Sequence, residues 1–131
     1  MGVIRLPTSL KFLDYSDLAM YEYQSSTYVA ISSQESSQLW ISKIEEINES
    51  PFFQIVSEEL SFIFNYPKRR RNNGSCTVEY CNIEGVTWIN GNELFLASDV
   101  SKTSQEDGCK AKDASIHYFS IPEMKRDDDC R

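Results

Sequence analysis

The chain has 131 residues, enough for one domain with a modest buried core. Its composition is 40% hydrophobic, 12% aromatic and 25% charged, which argues against wholesale disorder. With 13 basic against 20 acidic residues the formal charge is -7. That field repels phosphate backbones, so no nucleic-acid role is expected outside a local basic patch. No apolar run reaches the roughly 20 residues that a membrane-crossing helix needs, so no membrane span is expected.

In chain order, residues 1–14 form an N-terminal segment with Arg5 and Lys11 and no continuous apolar stretch, unlike a secretory leader. Residues 15–66 hold a first set of short strands. Leu18 to Tyr23 and Tyr28 to Ser32 flank the polar turn Gln24-Ser25-Ser26, and Gln38 to Ile44 follows. The Ile41, Ile44, Ile47 spacing also suits a helical face, but the Leu39, Ile41 alternation favours a strand up to Ile44. Asn48-Glu49-Ser50-Pro51 is a turn, and either Phe52 to Val56 or Leu60 to Asn65 supplies a fourth strand.

Residues 67–82 are expected to be a basic, cysteine-containing loop, with Lys68-Arg69-Arg70-Arg71 beside Asn72-Asn73-Gly74 at an exposed tip. Asn73-Gly74-Ser75 is also a glycosylation sequon, with Asn73 as acceptor. Residues 83–122 hold a second set of strands. Val86 to Ile89 and Leu94 to Ser98 flank Asn90-Gly91-Asn92, an Asn-Gly hairpin signal based on tolerance of positive φ. A loop from Ser101 to Lys112 precedes the last strand, Ser115 to Ile121. Residues 123–131 are an acidic tail.

The two strand sets repeat. Asp17 to Ser33 aligns with Ile83 to Asp99 at a constant offset of 66 without a gap. Three to four short strands per repeat is the anatomy of a propeller blade, so the expected fold is all-β, a partial β-propeller of about two antiparallel blades. Trp88, Leu94, Leu96, Val29 and Ile31 are the expected core. The alternative is an unrelated meander or sandwich whose hairpins look alike.

Four cysteines, Cys76, Cys81, Cys109 and Cys130, suit two disulfides with three possible pairings. Their spacing does not suit paired zinc knuckles. Cysteines and sequon together point to an extracellular or secretory location, the alternative being a cytoplasmic chain with reduced thiols. His117 lies in an alternating strand and is expected to be hydrogen-bonded or solvent-facing, not a general base. Trp40, Trp88, Tyr21, Tyr23 and Phe95 invite a carbohydrate-stacking reading, set against packing between blades.

Ile83-Glu84-Gly85-Val86-Thr87-Trp88, then Leu94-Phe95-Leu96-Ala97-Ser98-Asp99, resembles blades of calcium-dependent propellers, nearest the gluconolactonase/regucalcin-like and phytase-like esterase families. The strand Ser115 to Pro122 looks like the one that closes such blades. The resemblance implies a metal-ligand role for Glu84, a polar channel-end role for Asp99, and calcium as cofactor. The first repeat departs from it, with Leu18 and Ser33 at the aligned positions. Two blades cannot close a ring, so remaining blades of a larger propeller, or self-association, are the expected partners. The expected function is a non-catalytic binding or scaffold module, as a fragment of a larger extracellular β-propeller. The alternatives are part of a metal-dependent ester hydrolase of the propeller class and an unrelated cytosolic β domain.

Overall fold

The computed structural model describes residues 3–47, 52–100 and 113–121. These residues form strands and turns, with no α-helix among them. In chain order the first strands are β1 (Val3–Ile4), β2 (Asp17–Tyr23), β3 (Ser26–Ser33), β4 (Gln38–Glu46) and β5 (Phe52–Ile55). After a short 3₁₀ turn at Glu58–Leu60 come β6 (Ser61–Asn65), β7 (Lys68–Arg70) and β8 (Cys76–Val78). The last three are β9 (Ile83–Asn90), β10 (Glu93–Ser98) and β11 (Ser115–Ser120).

The first unit is the antiparallel meander β2-β3-β4. Its opening hairpin is a two-residue turn, Tyr23 pairing Ser26 across Gln24 (φ 47) and Ser25 (φ 61). Positive φ at both positions matches the turn to the strand twist even without glycine. β4 stays extended to Glu46, because its alternating side chains meet a buried layer on each face.

Both candidate fourth strands form. β5 pairs with the far end of β4 (Ile44 opposite Ile55) and β6 with the near end (Ser42 opposite Ser61). The two pairings are out of register, and the 3₁₀ turn takes up the surplus, capped where the Ser57 hydroxyl accepts the Glu59 N–H at 3.2 Å. β1 adds in parallel to β5. The basic stretch expected as a loop is instead a small hairpin, with Lys68 opposite Val78 and Arg70 opposite Cys76. Its tip closes through Gly74 at φ +84, a conformation that costs glycine little.

The second unit is β9-β10-β11. It repeats the first hairpin, but not at one offset. In the first unit Leu18, Ala19 and Met20 face Ile31, Ala30 and Val29; in the second Ile83, Gly85 and Val86 face Ser98, Ala97 and Leu96. Glu84 is therefore the extra residue of a β-bulge. The gapless alignment is one residue off along the second strand, so Val29 corresponds to Leu96. Asp99 then corresponds to Ser32, not Ser33, and Glu84 has no counterpart.

That correspondence reveals how the units stack. Ala30, Leu39, Ile41 and Tyr66 of the first unit share one core with Ile83, Val86, Leu94, Leu96 and Phe119 of the second. Val29, the counterpart of Leu96, points to the opposite face of its own unit. The stacking is back to front. Among the described residues, Asp17 Oδ2 accepts the Val86 N–H at 2.8 Å, Trp88 Nε1 donates to the Ala19 carbonyl at 3.2 Å, and Gln34 Nε2 donates to Asn82 Oδ1, just before β9, at 2.7 Å, all across the interface. Of the expected core, Val29, Ile31, Leu94 and Leu96 are buried, while Trp88 is only partly so.

The N-terminal segment covers much of the first unit's back. Ile4, Leu6, Leu10 and Phe12 pack on Val29, Ile31, Trp40 and Ile44. Asp14 clamps this segment to the β3–β4 turn, accepting from Ser33 Oγ (2.5 Å), Ser16 Oγ (2.8 Å) and the Glu35 N–H (2.9 Å).

Candidate functional site

The cofactor expectation centres on Glu84 and Asp99. The bulge turns Glu84 out to solvent, and Asp99 is exposed just past β10, its N–H bonded to the Asn82 carbonyl at 3.0 Å. Calcium takes six to eight oxygens. Among the described residues no three His, Cys, Asp or Glu side chains gather into such a group.

Asn73 sits at the tip of the β7–β8 hairpin, exposed, its Oδ1 accepting from the Ser75 N–H (3.0 Å) and Ser75 Oγ (2.6 Å). Cys76 opens β8 and Cys81 follows it; no free cysteine occurs among the described residues. Cys109 and Cys130 lie outside the described residues. His117 faces the inter-unit side of β11. Its Nε2 bonds Ser115 Oγ at 2.8 Å and Ser98 Oγ at 3.1 Å, and its ring meets Tyr80 edge-on with centroids 4.7 Å apart. Ser98 is buried, so this histidine is a packed, hydrogen-bonded side chain.

A polar node surrounds Asp14. Partial burial would raise its pKa. The hydrogen bonds from Ser33, Ser16 and the Glu35 and Gln34 N–H groups outweigh that and hold it below the usual carboxylate value. Nearby, burial and the Asp14 charge push the Tyr66 phenol far above its ordinary range, and its hydroxyl has no hydrogen-bond partner among the described residues.

The aromatic residues divide three ways. Trp40 is core, and Phe95 lies with Tyr118 on the outer face of the second unit. Tyr21, Tyr23 and Trp88 instead meet Tyr28 in a cleft of about 490 Å³ between the two hairpin tips. Strand periodicity puts Tyr21 and Tyr23 on one face, and register sets Tyr28 opposite Tyr21. Trp88 enters from β9, its ring centroid 5.5 Å from Tyr21 at 26° between planes; Tyr21 and Tyr23 are 6.3 Å apart at 17°. The turn Asn90-Gly91-Asn92 closes the other wall. Gly91 stays out of the left-handed region that the Asn-Gly signal implied, and the register shifts just beyond this turn.

Tyr28 and the Asn90–Asn92 wall were not legible as site residues, because the contact joins segments some sixty residues apart. A second, apolar groove of about 620 Å³ opens on the back of the first unit, lined by Ile4, Leu6, Tyr15, Leu18, Met20 and Phe53 among others. No helix among the described residues is long and apolar enough to cross a membrane. No protein-family model, curated protein or solved structure matches this chain.

Proposed function

We propose that the chain is a non-catalytic binding or scaffold module: two blades of a propeller-like stack, extracellular, whose open faces receive further meanders of its own kind. The back-to-front stacking carries this reading. The second unit buries Val86 and Leu96 against the first. The matching side of the first unit leaves Leu18 45% and Met20 46% exposed, beside the apolar groove. The outer face of the second unit leaves Phe95, Tyr118 and Ile116 open, Ile116 at 71%. Further meanders docked on these faces would cover both sets, as in solenoids and propellers, on the first unit beside the N-terminal segment that already covers Val29 and Ile31.

For the chain alone the available neighbour is a second copy. Analytical ultracentrifugation should show concentration-dependent association, weakened by Met20→Glu and by Ile116→Glu. A chain that remains monomeric to about 100 μM, near the weak end of specific association, would overturn the stacking proposal. Two disulfides among Cys76, Cys81, Cys109 and Cys130 belong to the extracellular part of the proposal; intact mass with and without reductant after alkylation counts them. Calcium at Glu84 would need carboxylates from neighbouring blades, and calorimetry with Glu84→Ala as control tests it.

A further inference from the structure

Beyond the stacking of blades, we infer that the cleft between the hairpin tips is a binding site for a neutral saccharide. The rings of Tyr23, Tyr21 and Trp88 form a near-parallel row. Tyr23 ends that row and is the most open of them, 48% exposed. A pyranose ring has one face of C–H groups and a rim of hydroxyls. Such a ligand stacks on an aromatic face while its rim finds amide and phenol partners, which here come from Asn92 and the tyrosines, the Asn90 amide being bonded to Glu93 and to the Asn92 N–H. The volume, about 490 Å³, lies within the range of small-molecule sites.

The chemistry of the lining narrows the ligand class. The lining contains no charged side chain, and Glu93, bonded to the Asn90 amide, together with the formal charge of -7 disfavours a phosphate or carboxylate. A quaternary ammonium calls for rings set around it as a box. Near-parallel planes offer a strip instead.

Gly91 keeps the cleft open. A Cβ there would lie 3.9 Å from ring atoms of both Tyr21 and Tyr23, and the backbone is outside the left-handed region, so a side chain is tolerated but occupies the site.

The two tryptophans make the test internal, since Trp40 is 2% exposed and Trp88 borders the cleft. Full-length chain is titrated with soluble oligosaccharides of glucose, mannose and N-acetylglucosamine, and in parallel with choline chloride and adenosine, following tryptophan emission. The expected result is saturable quenching by at least one oligosaccharide that disappears in Trp88→Phe. Tyr23→Ala should weaken binding about tenfold, the worth of one ring face, and Gly91→Leu should abolish it, with circular dichroism unchanged in both. The inference is overturned if no oligosaccharide binds up to about 10 mM. It is equally overturned if binding survives Tyr23→Ala and Gly91→Leu, or if choline or adenosine binds instead. Failure here leaves the stacking proposal standing, because Met20 and Ile116 lie away from this cleft.

Discussion

Asp14 offers the sharpest test of how the N-terminal segment is held. In Asp14→Ala, Ser33 Oγ, Ser16 Oγ and the Glu35 N–H lose their common acceptor. Ser33 is fully buried, so water cannot replace the acceptor there, whereas Glu35 is exposed and rehydrates. A hydrogen bond to a charged group contributes about 1.5–3 kcal/mol. Counting Ser33 fully and discounting the solvated pair, the expected loss at neutral pH is about 2–3 kcal/mol. For a domain of this size that moves a urea midpoint down by roughly 1–2 M.

The pH dependence gives a second, independent reading. The folded-state pKa of Asp14 is depressed below the ordinary carboxylate value. Its contribution is therefore complete above the unfolded-state pKa and is lost as pH falls through the folded-state value. The gap between wild type and Asp14→Ala should stay constant from neutral pH down to about 5, narrow below that, and close at strongly acid pH. Urea unfolding across this range measures it. A variant as stable as wild type at neutral pH, or a gap that persists undiminished in acid, would refute the clamp.

Three further outcomes are expected. Leu96→Ala removes a fully buried side chain from the inter-unit core and should cost about 2–5 kcal/mol in denaturant unfolding, with both units melting together. Ser25→Gly relieves a non-glycine residue at φ 61 and should raise stability by about 1 kcal/mol. Gly85→Val sets a Cβ 3.0 Å from the Ala97 Cβ across the bulge, and thermal unfolding should report a loss of about 1–3 kcal/mol from overpacking.

Much of the local architecture was already written in the order of residues. Alternation in Leu18 to Tyr23, Tyr28 to Ser32 and Leu94 to Ser98 selects strands, and the polar breaks at Gln24-Ser25 and Gly91-Asn92 place the turns, because both signals depend only on near neighbours. The all-β class and the recurrence of one hairpin follow from them. Register does not follow. Whether Glu84 is inserted opposite Ala97 depends on which side chains of a distant unit need burial, and a slip of one residue exchanges the two faces of a strand. The strand at Lys68–Arg70 carries no apolar pattern of its own and depends on its partner at Cys76–Val78. The docking of Leu6, Leu10 and Phe12, the Asp14 clamp and the aromatic cleft have the same origin. Each joins segments that carry no mark of one another along the chain, and only the folded arrangement, by minimising exposed apolar surface, decides that they meet.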